Sequence, residues 1–179
     1  MKRVCIDVGH TPTKSGALND KTGVSEYSQN LKLSNLLAER LHRLQMIPGV
    51  VYRETYSGLP ELINQTNADI CISVHANAAT TAAATGTETL YCASSVRSKK
   101  LADIVQSYMI AALDLRDRCI KPLHLSDRGG SLVAKTIMTH VIIEPYFLSN
   151  DNDLRIANDR MDLLAINIAE ACDEYFNEQ

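Results

Sequence analysis

The sequence predicts a single α/β domain built on a mostly parallel, twisted sheet of about five to six strands, with helices on both faces. Strand patterns alternate with longer helical patterns along the chain, an order typical of parallel sheets. The long apolar runs at 69–74 and 141–143 indicate strands that are covered on both faces. A chain of 179 residues, 45% of them hydrophobic, can bury one core, so we predict one domain spanning residues 1–179.

The first elements are the clearest. Apolar residues alternate over residues 3–10 and predict the first strand. Residues 24–44 have helical spacing, with Ser25 as a plausible N-cap and Pro48 and Gly49 ending the segment. One face of this helix carries a stripe of leucines, at positions 33, 37, 41 and 44.

The same alternation continues to the end of the chain. Short apolar segments predict strands and longer periodic segments predict helices, whereas the small and polar residues 80–86 predict a surface loop. The further strands are predicted over residues 49–55, 69–76, 85–93 and 140–147. The further helices are predicted over residues 59–68, 98–115 and 153–176.

Composition excludes several classes of function. The net charge of −3 gives no general attraction to nucleic acid or to an anionic membrane. No apolar run is long enough to span a bilayer. The five cysteines are scattered without a C-x-x-C motif, so we expect free thiols that act as small core hydrophobes. Asp7 and His10 interrupt the apolar start too early for a secretory signal, so we expect synthesis in the cytoplasm.

Three predicted strands end in ionisable residues. The first ends at His10, the strand "ICISVH" ends at His75, and the late strand "VIIE" ends at Glu144. The carboxyl ends of parallel strands form the edge of an open α/β sheet where ligands bind, so these side chains could meet there. Glu26 lies at the start of the first helix, on the face of the buried leucines, and should therefore begin close to His10.

Two imidazoles and one carboxylate form a common catalytic zinc set that leaves a position open for water or substrate. We therefore predict that His10, Glu26 and His75 bind Zn²⁺ and that Glu144 transfers protons as general base and acid. Structural explanations stay open for the first three, since a histidine at a strand end can be a hydrogen-bond partner and Glu26 can complement the helix dipole. Glu144 is harder to explain in this way, because an unpaired buried carboxylate is costly.

The remaining histidines are weaker candidates. His42 is expected on a solvated helix face, and His140 at the opposite edge of the sheet from the predicted site. His124 lies in an irregular stretch and could contact substrate. Asn77 could contact the substrate or the ligands, or could only shape a turn.

At these residues the sequence resembles the zinc-dependent N-acetylmuramoyl-L-alanine amidases of the amidase-3 family, which includes bacterial wall enzymes and phage endolysins. Four blocks in order carry the resemblance. They are "IDVGHTPTKSGA" (6–17), "VSEYSQNLKLSNLLAERL" (24–41), "ADICISVHANA" (68–78) with "GTETLY" (86–91), and "VIIEPYFLSN" (141–150). The resemblance implies the same ligand set of His10, Glu26 and His75, with Glu144 as the catalytic glutamate.

The implied reaction is hydrolysis of the amide that joins N-acetylmuramic acid to L-alanine in peptidoglycan. The implied substrate is therefore the cell wall, reached either by release, as for a phage or prophage endolysin, or by export through a segment absent from the given sequence. The sequence leaves the oligomeric state open, and we expect a monomer. Two alternatives remain: another zinc peptidase acting on the stem peptide, or a catalytically silent wall-binding or regulatory module.

The sequence departs from the family pattern at two places. "TPTKSG" replaces the usual glycines after His10, and His140 stands where the family is expected to have a proline. We expect the first change to alter the mouth of the cleft and the second to affect only the local backbone. Residues 126–132 are interpreted as a solvated turn, although Arg128 there could meet a peptide carboxylate.

Overall fold

The computed structural model describes residues 1–178, which form a six-stranded sheet with helices on both faces. The strands are β1 (Arg3–Val8), β2 (Ile47–Tyr52), β3 (Ile70–Val74), β4 (Thr87–Cys92), β5 (Asp117–Leu123) and β6 (Thr139–Glu144). The helices are α1 (Glu26–Arg43), α2 (Leu59–Asn64), α3 (Val96–Leu113), α4 (Gly130–Lys135), α5 (Asp151–Asp159) and α6 (Met161–Asn177).

The strand order is β2-β1-β3-β6-β4-β5. β2, β1, β3 and β6 run parallel, β4 is antiparallel to β6, and β5 is parallel to β4. The predicted fold class is thus confirmed. The order places β1, β3 and β6 side by side in the middle of the sheet, so the ends of the three strands that carry ionisable residues are neighbours.

Two apolar layers enclose the sheet. One side of the sheet packs against α1, α3 and α6 in the larger core, which includes Val4, Ile6, Ile72 and Val141. The other side packs against α2 and α4 around a smaller cluster that includes Cys5, Cys71 and Ile142. Because side chains alternate along a strand, residues 7, 73, 75, 140 and 144 all lie on this second side.

The structure corrects several predicted boundaries. Pro48 and Gly49 lie inside β2 rather than ending the preceding segment, and Leu44 is 40% exposed at the end of the leucine stripe. The predicted helix 153–176 is two helices that break at Arg160. Nη1 of Arg160 donates to the carbonyl oxygens of Ala112 and Leu113, at the end of α3.

Two elements were not predicted. β5 is an edge strand whose residues are exposed or only partly buried. It contains Pro122, which an edge strand tolerates because one side needs no ladder hydrogen bonds. α4 is a six-residue helix that begins inside residues 126–132, the stretch interpreted as a turn, and extends beyond it. Cys119, on β5, is exposed and is not a core residue, whereas the other four cysteines are free and buried as expected. Among the described residues, no helix combines the length and the apolar character needed to cross a bilayer.

Candidate active site

Backbone hydrogen bonds between neighbouring strands position the residues that follow β1 and β3. His10 has a positive φ of 71°, and the neighbouring Gly9 donates its N–H to the carbonyl oxygen of Val74 at 3.0 Å. His75 directly follows β3 and donates its N–H to the carbonyl oxygen of Ile143 at 3.1 Å. The backbone of β3 therefore anchors the turn after β1, and the backbone of β6 anchors the residue after β3.

Glu26 enters the same region from the first turn of α1. Ser25 caps this helix by accepting the N–H of Ser28, and Glu26 is only 5% exposed. Ala17, in the loop before the helix, holds both the backbone and the side chain of Glu26. Its carbonyl oxygen accepts the backbone N–H of Glu26 at 2.9 Å, and its own N–H donates to Oε2 of Glu26 at 3.1 Å. The carboxylate is thus fixed in direction before any ligand binds.

His10, Glu26 and His75 converge on one point. Nε2 of His10 lies 2.9 Å from Oε2 of Glu26, and Nδ1 of His75 lies 2.9 Å from Oε1 of the same carboxylate. One potential ligand atom from each residue lies within 4.8 Å of the other two. Burial alone would raise the pKa of Glu26, but the hydrogen bonds from the two imidazoles outweigh it and hold that pKa below its usual range.

Two glycines leave space for this cluster. A Cβ at Gly9 would lie 2.7 Å from Cε1 and Nε2 of His75. Gly16 has a positive φ of 77°, and a Cβ there would lie 2.8 Å from Nε2 of His10 and still closer to the carboxylate of Glu26. Backbone therefore packs directly against the three side chains, where any larger residue would displace them.

Glu144 ends β6 beside the cluster. Its Oε2 atom is buried and has no hydrogen-bond partner in residues 1–178. Burial raises the pKa of Glu144 well above its usual value, the negative charges of Glu26 and Glu88 raise it further, and the positive charge of Arg128 opposes them. The carboxyl group of Glu144 therefore keeps its proton to a higher pH than an exposed glutamate would.

All four predicted site residues line one open cleft with a volume of about 750 Å³. Arg53 and Tyr56, from the loop after β2, line the cleft. Arg128, from the loop before α4, and Ser131, in the first turn of α4, line it as well. The guanidinium group of Arg53 lies over the ring of Tyr56, 5.6 Å from its centroid. Asn77 lines the cleft too, but its Nδ2 donates to Oε1 of Glu88 at 2.8 Å.

Glu88 was not identified from the sequence. It lies opposite Glu144 in the antiparallel pair of β4 and β6, is 7% exposed, and accepts a hydrogen bond from Nε of Arg118 at 2.7 Å. Its two oxygens are thus held by Asn77 and Arg118. The acidic residue inside the strand "GTETLY" was the available signal, because an unpaired carboxylate is not expected in a buried strand.

The other histidines lie away from the cluster. His42 and His124 are exposed on the surface. His140 is fully buried in β6, where Nε2 lies 2.8 Å from Oγ of Ser73 and Nδ1 lies 3.0 Å from Oγ1 of Thr136. Oγ of Ser73 donates to Oδ2 of Asp7 at 2.6 Å. These hydrogen bonds define what we call the buried network: Asp7, Ser73, Thr136 and His140.

Here the strand ends present two imidazoles and the carboxyl group of Glu144, and the first helix adds the carboxylate of Glu26. This arrangement defines a metal-dependent hydrolase class of site. The model of the N-acetylmuramoyl-L-alanine amidase family (Amidase_3) matches residues 4–174 of the chain. The chain therefore belongs to the N-acetylmuramoyl-L-alanine amidase family.

Individual relatives agree with this assignment. The chain is 30% identical over 157 residues to the N-acetylmuramoyl-L-alanine amidase LytC of Bacillus subtilis (strain 168), covering 84% of this chain and 30% of LytC. It thus spans about a third of the length of that relative.

Two solved structures share the fold over almost the whole chain. An N-acetylmuramoyl-L-alanine amidase from Clostridium difficile 630 is 28% identical, with a TM-score of 0.89 and coverage of 99% of this chain and 98% of that one. The catalytic domain of the amidase CwlV from Bacillus (Paenibacillus) polymyxa var. colistinus is 25% identical, with a TM-score of 0.85 and full coverage of both chains.

Proposed function

We propose that residues 1–179 form one catalytic domain that hydrolyses the amide bond between N-acetylmuramic acid and L-alanine in cell-wall peptidoglycan. Membership of the amidase family supports the reaction and its substrate. The observation that carries the proposal is the convergence of His10, Glu26 and His75 within 4.8 Å of one another, beside the unpaired Oε2 of Glu144. A protein that only binds the cell wall has no need for this arrangement.

We propose Zn²⁺ as the cofactor and His10, Glu26 and His75 as its ligands. The residues fit this ion, because two nitrogen donors and one carboxylate oxygen are a common catalytic zinc set. The low pKa of Glu26 keeps the carboxylate ionised, as a ligand must be, and Gly9 and Gly16 keep side chains out of the space around it. When bound there, Zn²⁺ would supply Lewis acidity toward the scissile carbonyl group and would lower the pKa of water.

Glu144 transfers the protons of the reaction. In its ionised form it accepts a proton from the water molecule that attacks the carbonyl carbon. Its raised pKa lets the carboxyl group keep that proton and then pass it to the nitrogen of L-alanine as the amide bond breaks. The buried position of Oε2 favours this transfer, because no protein donor competes for that oxygen within residues 1–178.

Analysis of digested peptidoglycan tests the proposal. Purified sacculi are incubated with the zinc-loaded protein, and the products are identified by mass spectrometry. We expect new free amino groups on L-alanine, together with glycan strands of unchanged length. Free amino groups that appear only inside the stem peptide would identify a peptidase instead, and binding to sacculi without cleavage would identify a wall-binding module.

A further inference from the structure

The cleft contains two arginines that no carboxylate of the protein neutralises. Arg53 and Arg128 both line it, and neither lies within ion-pair distance of an acidic side chain in residues 1–178. Arg118, in contrast, is paired with Glu88. A guanidinium group that faces an open cleft without a partner is available to an anionic group of a ligand.

The two arginines lie on opposite sides of the proposed metal ligands. Arg53 follows β2, and both β1 and β3 separate β2 from β6. Arg128 precedes Gly129, and a Cβ at Gly129 would lie 3.1 Å from Cδ1 of Ile142. Ile142 lies on the same face of β6 as Glu144, two residues before it. Arg128 is therefore the arginine on the Glu144 side of the cleft.

The direction of the substrate follows from the proposed function, on which this inference rests. Glu144 passes a proton to the nitrogen of L-alanine, so the peptide arm of the substrate begins beside Glu144. The lactyl carboxyl group of the sugar is consumed in the amide, which leaves the glycan arm near the cleaved bond uncharged. The free carboxylates of the substrate therefore lie in its peptide arm, on the side of Arg128.

We propose that Arg128 binds a carboxylate of the stem peptide, at the residue that follows L-alanine, and that Arg53 lies along the glycan arm. Arg128 is exposed and extends from the loop between β5 and α4, so its side chain can adjust to an incoming peptide. A planar guanidinium group binds a carboxylate with two parallel hydrogen bonds, which an uncharged carboxamide cannot match. Arg128 thus determines specificity for an acidic peptide arm.

Two substrates and two matched variants test this assignment. The substrates are soluble N-acetylmuramoyl dipeptides that differ at one group, a free α-carboxylate or a carboxamide on the second residue. The variants Arg128→Gln and Arg53→Gln each remove one positive charge from the cleft. The quantity measured is the ratio of kcat/KM for the acidic substrate to kcat/KM for the amidated one, after thermal melting shows that each variant is folded.

We expect the unmodified protein to prefer the acidic substrate by about 10- to 100-fold, the usual advantage of a charge-assisted hydrogen-bonded pair. Arg128→Gln should remove this preference, so that the ratio of the two kcat/KM values falls to about 1. Arg53→Gln should keep the preference, and Arg128→Lys should keep part of it, because lysine retains the charge but not the planar pair of donors.

The possible failures are distinguishable. An unchanged ratio in Arg128→Gln, with both substrates hydrolysed, would overturn the assignment and leave the proposed amidase function intact. Loss of the preference in Arg53→Gln alone would place the carboxylate on the opposite wall and would also overturn it. If the unmodified protein cleaves neither substrate and releases no L-alanine amino groups from sacculi, the proposed function fails together with this inference.

Discussion

Two groups of histidine and carboxylate residues lie along β1, β3 and β6, and they differ in what surrounds them. At the carboxyl ends of the strands, His10 and His75 retain side-chain exposures of 14% and 19%, and both point at Glu26 in an open cleft. In the buried network, Asp7, Ser73 and His140 are at most 1% exposed. The residue types are similar, but the accessibility is not.

The hydrogen bonds of the two groups differ in the same way. In the buried network, the hydroxyl groups of Ser73 and Thr136 occupy both ring nitrogens of His140, so no lone pair remains for a ligand. At the cleft, both imidazoles are directed at one carboxylate, so their nitrogens can be taken over by a single ion. Convergence and access, rather than the presence of histidine, therefore distinguish a candidate metal site from a structural network.

The largest expected effect separates the two groups directly. His75→Ala should abolish stoichiometric zinc binding and peptidoglycan hydrolysis, because it removes one of the three proposed ligands. His140→Ala is the matched control and should keep one zinc ion per chain. Metal analysis after gel filtration measures both. Stoichiometric zinc in the His75 variant would show that His75 is not a ligand.

Within the cleft, Glu144→Ala should separate catalysis from metal binding. We expect turnover of peptidoglycan to fall by about 10²- to 10⁴-fold, since general acid–base catalysis is lost, while zinc content stays at one ion per chain. Steady-state digestion assays combined with metal analysis provide the measurement. If zinc were lost along with activity, Glu144 would be a ligand rather than the proton-transferring group.

Gly16→Ala should weaken the cleft site without removing any ligand. The new Cβ would press on Glu26 and His10, and we expect zinc affinity to fall by about 10- to 100-fold, as for other residues that orient metal ligands. Gly23→Ala is the control, because Gly23 also has a positive φ but a Cβ there would meet no atom within 4 Å. Competition with a fluorescent chelator measures both affinities, and equal affinities would contradict the role given to Gly16.

The smallest effect concerns the buried network and appears in stability alone. His140→Ala should lower the free energy of unfolding by about 2–3 kcal/mol near pH 7.5, because a cavity forms and the hydroxyl groups of Ser73 and Thr136 lose their partner. Urea titration measures this difference. A change below about 0.5 kcal/mol would mean that the network contributes little.

The same variant carries a pH signature. Burial lowers the pKa of His140 from 6.5 to about 3, so the unfolded chain binds a proton that the folded chain excludes. Neutral His140 contributes fully to the free energy of unfolding above about pH 6.5. This contribution decreases as the pH falls, by at most about 1.4 kcal/mol per pH unit. The difference in the free energy of unfolding between the unmodified protein and His140→Ala should therefore narrow between pH 6.5 and pH 5. A difference that stays constant over this range would contradict the lowered pKa of His140.

The sequence predicted much of the cleft but none of the buried network. His10, His75 and Glu144 follow apolar strands directly, and Glu26 shares a helix face with buried leucines, so local patterns were sufficient to group them. His140 was expected at the opposite edge of the sheet and to affect only the local backbone. Its partners Ser73 and Thr136 come from other elements, and such pairing depends on strand order and register, which periodicity does not contain.

The unpredicted elements have a similar explanation. β5 contains charged residues and a proline because it is an edge strand, so it lacks the apolar run that identified the central strands. Arg128 was named from the sequence only as an alternative to a solvated turn, because no local pattern reports the close approach of Gly129 to Ile142 of β6. Side chains fixed by strand ends were thus predictable, whereas those positioned by loops that fold back over the sheet were not.

The most direct test of the central claim is a crystal structure of the zinc-loaded protein with anomalous diffraction measured at the zinc absorption edge. We predict one strong peak, about 2.0–2.2 Å from one nitrogen each of His10 and His75 and from a carboxylate oxygen of Glu26, with Glu144 outside bonding distance. A peak at the buried network, a peak at Glu144 in place of Glu26, or the absence of a peak at His10, Glu26 and His75 would contradict this claim.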